Sequence, residues 1–295
     1  MAILNVGSFM VDHVYQVPHF LRPGETLPAT DYGVFAGGKG FNQTIALARA
    51  GVAVVHAGAI GRDGEWLLEL LTAEGVDVDS VLTTETPTGH GIIQVTGQGD
   101  NAILQWPGAN RTLTRDYIDR LLARYGPNDV LLLQNEVNEI GYLIDQGYAR
   151  GMRLVFNPAP MTPDIAEVSL EHVSLLIVNE VEAFDLTGAS TEAAMLEGLR
   201  TRVPRGSVVL TLGARGAVWV DASSRIVVPA WPVRAVDTTA AGDTFIGYLL
   251  ASLTLGMTAE AAMRRAAKAA ALCVTRPGAA VSIPQADTVD AYVSR

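Results

Sequence analysis

The chain has 295 residues, which is enough for a large hydrophobic core in one α/β domain or in a domain with an appendage. Hydrophobic residues make up 49% and charged residues 18% of the chain, and this balance excludes an intrinsically disordered protein. The formal net charge is −10, from 31 acidic and 21 basic residues, so the surface repels anionic polymers and predicts neither nucleic acid nor membrane as a partner.

Neither the apolar runs nor the first residues predict a membrane-spanning or secretory segment. Runs such as VLLLQ are far shorter than the roughly 20 residues that span a bilayer. The first residues, MAILNVGSF, lack a basic stretch and a cleavage site. Cys273 is the only cysteine, which excludes an internal disulfide, and its apolar neighbours favour a buried structural thiol. We therefore expect a cytoplasmic protein.

Short β-branched runs alternate with helical patterns through most of the chain. In chain order they include VAVVHAGAI before DGEWLLELLTAEG, DVLLLQ before EIGYLIDQGYARG, and VSLLIVN before EVEAFDLTG. This rhythm predicts βαβ units and a mainly parallel, buried sheet. Residues 11–36 and 89–106 carry strand patterns without helices between them, and the second segment predicts a β-hairpin. We expect residues 1–295 to form one domain with a β lid built from these two segments.

A glycine-rich elbow, FAGGKGFNQTIALARAG at 35–51, opens a predicted helix. The spacing from Gly33 to Gly38 and Lys39 nearly matches a nucleotide-binding P-loop. Gly40, however, stands where a Mg²⁺-binding hydroxyl is needed, which excludes that motif. A dinucleotide-binding fingerprint is absent too, because GAIGRDG is only a distant match. The elbow allows a ligand to approach the backbone closely, and a tight turn made for packing explains it equally well.

Acidic residues follow a predicted strand end at Asn179. Acids in the first turn of a helix commonly complement the helix dipole, and this is the simpler interpretation of the sequence NEVEAFD. The functional interpretation has Asn179 and Glu182 arranging a hydrated Mg²⁺ beside phosphates. Residues 209–220 predict a strand, a turn and a second strand, and Thr211 with the turn amides would serve as donors near an anion.

The stretch AVDTTAAGDTF at 235–245 places small residues and one acid, Asp243, at the start of an apolar helix. Small residues at 240–242 leave the free amides of a helix start open to an incoming anion. A carboxylate beside that anion is unfavourable unless it removes a proton from an attacking hydroxyl. The alternative is that Asp243 merely caps the helix, although Ile246 stands where a capping-box partner would be.

These motifs, in their order along the chain, resemble those of the ribokinase-like (PfkB) family of carbohydrate kinases. The resemblance covers essentially the whole length and is carried by GSFMVDH, PGET, GGKGFNQ, PGAN, NPAP, NEVEA, TLGARG, AVDTTAAGDTF and TRPGA. It implies a three-layer α/β/α fold with a mainly parallel central sheet and a small β-sheet lid. It also implies ATP-dependent phosphorylation of a hydroxyl of a small sugar, such as a pentose, and a homodimer formed through the lid.

The resemblance assigns roles to particular residues. Asp243 is expected to be the general base, and the amides of Ala241, Gly242 and Asp243 are expected to form an anion hole. The sugar-contacting positions are Asp12, Gly38, Lys39, Asn42 and Glu136. The positions for ATP and Mg²⁺ are Asn179, Glu182 (through water), Thr211, Gly213 and Gly216. A monovalent-cation site, expected for K⁺, matches Asp237 and carbonyls of Thr239, Cys273, Arg276, Gly278 and the Ser282 region.

The chain departs from the family pattern at two positions in the sugar site. The ribose kinases of the family have Asn two residues before the sugar-binding Asp, where this chain has Met10, and a small residue where it has Phe41. A thioether cannot replace the hydrogen bonds of an amide. The substrate is therefore expected to lack a hydroxyl beside Met10, to carry an apolar group there, or to bind in a shifted pose, unless Met10 points into the core.

Two other functions stay open on the sequence. One is a nucleoside kinase of the same family, because an apolar Met10 and Phe41 would suit a base. The other is a non-catalytic sugar-binding or regulatory module. The second is disfavoured by Asp243, Gly242 and Glu182, since a sensor does not need a base beside an anion hole. A panel of sugars and nucleosides assayed with ATP separates all three.

Overall fold

The computed structural model describes residues 1–293. In these residues the strands, numbered in chain order, are β1 Ile3–Val6, β2 Met10–Val17, β3 Asp31–Gly37, β4 Val54–Gly61, β5 Asp77–Thr84, β6 Gly89–Thr96, β7 Asn101–Trp106, β8 Val130–Gln134, β9 Arg153–Asn157, β10 Leu175–Asn179, β11 Ser207–Thr211, β12 Ala217–Val220 and β13 Arg225–Val228. The α-helices are α1 Lys39–Arg49, α2 Glu65–Ala73, α3 Arg115–Leu122, α4 Ile140–Ala149, α5 Glu180–Thr187, α6 Glu192–Arg202, α7 Ala241–Thr254, α8 Ala259–Cys273 and α9 Ala286–Ala291.

The central sheet contains nine strands in the order β13-β12-β11-β10-β9-β8-β1-β4-β5. Every neighbouring pair from β11 to β5 is parallel, whereas β12 is antiparallel to both β11 and β13. The inner strands are continuous apolar runs, such as LLIV in β10, because both faces of a parallel sheet are covered. The predicted mainly parallel sheet is confirmed.

Helices cover both faces of this sheet. Successive residues of a strand point to opposite faces, so Val130 and Leu132 of β8 belong to one hydrophobic cluster and Leu131 and Leu133 to the other. The first cluster includes buried residues of α1, α2, α7 and α8, and the second includes those of α3 to α6. Burying one such leucine contributes about 2 kcal/mol. The predicted three-layer α/β/α fold is confirmed.

A separate four-stranded sheet has the order β3-β2-β6-β7, and we call it the lid. β2 pairs parallel with β6, while β2–β3 and β6–β7 are antiparallel. The register places Asp12, Phe35, Gly91 and Gln105 on one face. The opposite face, here the outer face of the lid, carries the exposed apolar side chains of Tyr32, Val34, Ile92, Leu104 and Trp106.

The carboxyl ends of β9, β10 and β11 meet at one edge of the central sheet. A cleft of about 230 Å³ lies there, and Asn157, Asn179 and Thr211, the last residues of these strands, line it. Crevices at this edge of open α/β sheets are the usual ligand sites. Two larger cavities, of about 290 and 310 Å³, contain none of the predicted site residues. Within residues 1–293, no helix is both long and apolar enough to cross a membrane.

Candidate active site

The glycine-rich elbow connects β3 to α1. Gly38, the residue before α1, has a φ of 95°, which favours glycine. Gly40 packs so closely on the neighbouring chain that a Cβ there would lie 2.2 Å from the backbone nitrogen of Ser8. Packing therefore explains both glycines. The same turn brings Lys39, the first residue of α1, to the cleft.

Asp243 is the third residue of α7 and lines the cleft. Ala240 precedes the helix with a φ of 59°, and no side chain caps it, so the alternative role of Asp243 as a helix cap is wrong. Asp243 is 8% exposed. Its Oδ1 accepts a hydrogen bond from Gln43 Nε2 at 2.9 Å and its Oδ2 accepts one from Asn42 Nδ2 at 3.1 Å. Two amide donors thus orient the carboxylate before any ligand binds.

The first amides of α7 also face the cleft. The N–H groups of Gly242 and Asp243 have no acceptor among residues 1–293, whereas the Ala241 N–H donates to the Thr238 carbonyl at 3.3 Å. A Cβ at Gly242 would meet no atom within 4 Å, so nothing obstructs an approach from this side. Of the three amides predicted to form an anion hole, two are free and one is engaged in a long hydrogen bond.

Asp12 extends from β2 of the lid toward two glycines. A Cβ at Gly37 would lie 2.0 Å from Asp12 Oδ2, and one at Gly91 would lie 3.0 Å from Oδ1, so both neighbours must be small. Burial and the negative charge of Glu136 raise the pKa of Asp12 to about 6. No hydrogen-bond donor within residues 1–293 contributes to this pKa. The carboxylate is therefore held in place by shape and left without a partner.

Glu136, which follows β8, is anchored by several donors. Its Oε2 accepts hydrogen bonds from Ser8 Oγ at 2.5 Å and from the Lys39 backbone N–H at 2.7 Å. Its Oε1 is 3.5 Å from Gln105 Nε2, at the limit of a hydrogen bond. Because Gln105 belongs to β7 of the lid, Glu136 connects the lid to the glycine-rich elbow.

The Lys39 ammonium lies in the field of three carboxylates. Burial lowers its pKa, but the charges of Asp243, Glu136 and Glu182 together outweigh burial and leave the pKa above its usual value. No carboxylate of the described chain approaches this ammonium within the 4.0 Å of an ion pair. The resemblance predicts a sugar contact for Lys39. The structure places its side chain in the cleft with Asp243 and Glu182, where an anion would also reach it.

Asn179 and Glu182 form a capping box at the start of α5. Asn179 Oδ1 accepts from the Glu182 N–H, and Glu182 Oε2 accepts from the Asn179 N–H, each at 2.9 Å. Burial, joined by the charges of nearby carboxylates, raises the pKa of Glu182. Helix capping thus accounts for this pair by itself, and both residues also line the cleft.

The predicted nucleotide-contacting turn follows β11. Gly213 and Gly216 have φ values of 56° and 100°, both in the region that favours glycine. Arg215 of this turn forms an ion pair with Glu180 of α5. The turn is therefore fastened beside the capping box, and Thr211 lines the same cleft.

Asp237 ties together the two loops that carry the predicted cation-site residues. Its Oδ1 accepts from the Thr239 N–H at 2.9 Å and hydroxyl at 2.6 Å, and its Oδ2 accepts from the Gly278 N–H at 2.8 Å. Burial acts to raise the pKa of Asp237, but these hydrogen bonds outweigh burial and lower it. The loop that precedes α7 is thereby fixed to the loop that follows α8.

Cys273 lies at the same junction with its thiol buried, as the sequence predicted. Its Sγ is 3.0 Å from Ser282 Oγ and 3.7 Å from the Thr239 carbonyl oxygen. Burial raises the pKa of this thiol. The Cys273 carbonyl accepts from the Arg276 N–H at 3.2 Å, so one of the predicted carbonyl ligands already has a donor.

The two residues that depart from the family pattern are both buried. Phe41 is fully buried, and its ring packs on Phe9 with a centroid distance of 6.1 Å, so the expectation that it suits a nucleoside base is wrong. Met10 is 2% exposed, packs under Gly38, and has Asn110 Nδ2 at 3.4 Å from its Sδ. Its influence on the sugar stays a prediction.

Gln43 and Gln134 were missed by the sequence reasoning. Gln43 donates to Asp243 and is itself hydrogen-bonded by Gln134, and both side chains are fully buried. The signal in the sequence is the pair of amides in GGKGFNQ, which precede the apolar positions of α1. A buried amide needs partners, and such a pair points inward only if other polar groups meet it there.

Comparison with known proteins bears on this arrangement. The model of the pfkB family carbohydrate kinases matches residues 2–286. The ribokinase of Haemophilus influenzae is 34% identical over 288 residues, covering 95% of this chain and 94% of that protein. A deoxyribokinase of Salmonella typhimurium is 31% identical over 100% of this chain and 99% of that protein.

Solved structures agree with the family and the fold. The ribokinase of Thermotoga maritima superposes with a TM-score of 0.88 at 32% identity, over 99% of this chain and 98% of that one. Both matches span nearly the whole chain, and the cleft lies at the edge of the sheet where ligands usually bind. The chain therefore belongs to the pfkB family of carbohydrate kinases, and it is an ATP-dependent carbohydrate kinase.

Proposed function

We propose that this protein transfers the γ-phosphoryl group of ATP to a hydroxyl of a pentose or a related small sugar, with Asp243 as the general base. One observation carries the proposal: a buried carboxylate, oriented by Asn42 and Gln43, stands beside two free amides at the start of α7. This arrangement supports a proton acceptor next to an anion site. Relatives named ribokinase and deoxyribokinase support a pentose as the acceptor.

The reaction follows from these groups. Asp243 accepts the proton of the sugar hydroxyl while the oxygen lone pair forms a bond to the γ-phosphorus. The bond from that phosphorus to the bridging oxygen breaks, and its electron pair leaves with ADP. The free amides of Gly242 and Asp243 stabilise the charge on the transferred group. Lys39, whose ammonium has no carboxylate within ion-pair distance in the described chain, adds a positive charge on the same side.

Asp12 and Glu136 are proposed to bind the sugar, as the resemblance predicts. The unpartnered Asp12 carboxylate would accept hydrogen bonds from adjacent hydroxyls, an arrangement that suits vicinal diols. Glu136 is held by the elbow and the lid, so it connects sugar binding to the position of the lid. Gly38 is proposed to contact the sugar through its backbone; its φ of 95° and its packing on Met10 explain why this position is glycine.

We further propose that Mg²⁺ accompanies ATP. Within residues 1–293, no group of three His, Cys, Asp or Glu side chains could hold a metal directly. A buried Glu182 with Asn179 at the cleft fits a hydrated ion that is bound mainly by phosphates. Bound Mg²⁺ would neutralise phosphate charge. For K⁺, Asp237 and the carbonyls of Thr239 and Gly278 are proposed to form a site where Asp237 joins the loop before α7 to the loop after α8. An ion there would fix the amides of the anion hole.

The outer face of the lid is the proposed dimer interface. Leu104 is 69% exposed and Trp106 43% exposed, and Tyr32, Val34 and Ile92 continue the same apolar surface. Such a patch, rather than isolated apolar side chains, is typical of an interaction surface. A cytoplasmic location is proposed as well, because the lone thiol of Cys273 is buried and needs no oxidising compartment.

The deciding experiment is a coupled assay of ATP consumption with a panel of pentoses, 2-deoxypentoses, hexoses and nucleosides. We expect turnover with a pentose or deoxypentose, dependence on Mg²⁺, and stimulation by K⁺ over Na⁺. Glu182→Gln should raise the Mg²⁺ concentration needed for half-maximal rate. Turnover only with nucleosides would support the nucleoside kinase, and sugar binding without turnover would support the non-catalytic module. Full activity in excess chelator would exclude the role of Mg²⁺.

A further inference from the structure

Behind Asp243, on the side away from the cleft, polar side chains form a continuous buried chain. Gln43 Oε1 accepts from Gln134 Nε2 at 2.7 Å, and the same nitrogen donates to Asn5 Oδ1 at 3.1 Å. Asn5 Nδ2 donates to Thr44 Oγ1 at 2.7 Å. The members of this network are all fully buried: Asn5, Gln43, Thr44, His56 and Gln134. It crosses from α7 through α1 and β8 to β1 and β4.

The charge of Asp243 fixes the orientation of the Gln43 and Gln134 amides, and the Gly40 carbonyl, which accepts from Asn5 Nδ2 at 2.8 Å, also fixes Asn5. An ionised carboxylate only accepts, so Gln43 must present its NH₂ to Asp243 and its oxygen to Gln134. Gln134 must then present its NH₂, which serves both Gln43 and Asn5. Reversing any of these amides would set oxygen against oxygen.

The hydrogen-bond directions at the other end of the network, at Thr44 and His56, are assigned in the same way. The Gly7 carbonyl oxygen, which can only accept, lies 3.3 Å from His56 Nε2, so a neutral His56 carries its proton on Nε2. His56 Nδ1 therefore accepts from the Thr44 hydroxyl, 2.7 Å away, while Thr44 Oγ1 accepts from Asn5. Burial lowers the pKa of His56 to about 3, in agreement with a neutral ring.

This orientation of the amides leaves one side-chain oxygen of the network without a hydrogen-bond partner. Gln134 Oε1 is buried and has no hydrogen-bond partner among residues 1–293. A reversed Gln134 amide would expose its oxygen to two acceptors, Asn5 Oδ1 and Gln43 Oε1, and its NH₂ would lie where Oε1 is now. Buried polar atoms without partners are rare and destabilising. The observed orientation keeps both hydrogen bonds of the Gln134 NH₂, to Gln43 and to Asn5, and leaves only the Gln134 oxygen unpaired.

We infer that Gln43 is a positioning residue for phosphoryl transfer: its side-chain NH₂, oriented through Gln134 and Asn5, holds Asp243 at the angle needed to accept the proton of the sugar. The inference rests on the proposed function of Asp243. Gln43 touches neither reacting atom in this scheme. Displacing a catalytic group by about 1 Å commonly lowers the reaction rate on the order of 100-fold. Loss of the hydrogen bond from Gln43 to Asp243 is therefore expected to lower kcat strongly.

The test compares Gln43→Met with Thr44→Val. Met preserves the length of the side chain and removes the donor to Asp243. Val preserves the shape of Thr44 and breaks the network at a point that does not touch Asp243. For each variant, kcat, KM for the sugar and ATP, and the melting temperature are measured. We expect Gln43→Met to lower kcat about 10- to 100-fold with both KM values within about twofold. We expect Thr44→Val to lower the melting temperature while kcat stays within about twofold.

A kcat of Gln43→Met within twofold of the parent, or an equal loss in Thr44→Val, would overturn the inference. If Gln43→Met does not fold, Gln43→Asn keeps the amide but withdraws it by one methylene and is expected to lower kcat similarly. Crystal structures give a readout that does not depend on activity. Asp243 should rotate in the Gln43 variant and stay in place in Thr44→Val, and an unmoved Asp243 contradicts the proposal. Failure of the parent chain to phosphorylate any sugar would refute the proposed function, while these crystal structures would still decide whether Gln43 orients Asp243.

Discussion

Two carboxylates of the cleft region, Asp12 and Asp243, are held in opposite ways. Asp243 receives one amide hydrogen bond on each oxygen, and a buried network supports one of the donors. The glycines beside Asp12, Gly37 and Gly91, leave space for its carboxylate but donate no hydrogen bond to it. Burial raises the pKa of Asp12 to about 6. Under the proposed function, this difference means that the protein itself orients the general base, whereas Asp12 finds its hydrogen-bond partners on the sugar.

The largest effect is expected from removing the preorganised group. Asp243→Asn keeps the shape of the side chain but cannot accept a proton, and one of its oxygens becomes an NH₂ that faces an amide donor. We expect kcat to fall about 10²- to 10⁴-fold, which is typical for loss of a positioned base. ATP binding, measured by calorimetry, and the melting temperature should change little. A variant with near-normal kcat would reduce Asp243 to a structural residue.

Asp12→Asn tests the proposal that the Asp12 carboxylate finds its hydrogen-bond partners on the sugar. A charged acceptor contributes about 1.5–3 kcal/mol to its hydrogen bonds, so KM for the sugar should rise about 10- to 100-fold while kcat falls less. In the parent enzyme, kcat/KM for the sugar should decline as the pH falls through about 6, because Asp12 is then protonated. The variant should lack this decline. A sugar KM equal to that of the parent would remove Asp12 from the site.

The same substitution should affect stability in a pH-dependent way. The pKa of Asp12 is about 6 in the folded chain and 3.8 in its ordinary state, so the folded state holds the proton more tightly. The free energy of unfolding therefore decreases as the pH rises from about 4 to 6, and the penalty is complete above 6. Allowing for partial exposure, we expect Asp12→Asn to be more stable by about 2 kcal/mol at pH 7.5.

This stability gain should vanish near pH 4, where the parent Asp12 is neutral as well. Melting temperatures of both proteins at pH 7.5 and pH 4 provide the measurement, and a difference of a few degrees is expected at the higher pH only. Equal melting temperatures at both values would show that the Asp12 carboxylate is not penalised in the folded chain. If Asp12→Asn is more stable than the parent but binds the sugar more weakly, the free-energy cost of burying the Asp12 carboxylate is explained by its role in sugar binding.

The smallest effect concerns Met10, which lies two residues before Asp12. If Met10 contacts the sugar, Met10→Asn should raise kcat/KM for ribose relative to the best substrate about 5- to 30-fold, which corresponds to about 1–2 kcal/mol for one restored hydrogen bond. A comparison of ribose and 2-deoxyribose on both proteins measures this change. An unchanged ranking with a lowered melting temperature would place Met10 in the core only, in agreement with its 2% exposure.

The sequence by itself determined the family and the layered fold, and it predicted where the chemistry takes place. Alternating β-branched runs and helical patterns require a covered parallel sheet, and the small residues around Asp243 require open amides at a helix start. These are local properties, because they depend on the period of a pattern or on the size of adjacent side chains. Both could therefore be read without knowing which segments meet.

Only the tertiary structure decided which groups act on one another. Residues separated by about 200 positions, Gln43 and Asp243, are hydrogen-bonded, and no local pattern could pair them. Phe41 was expected in the sugar site and lies in the core against Phe9. The raised pKa of Asp12 arises from the burial of this lid residue and from the negative charge of Glu136. Burial, charge and hydrogen-bond direction are properties of groups brought together by folding, so they were settled only when α1, α7, the lid and the central sheet were packed.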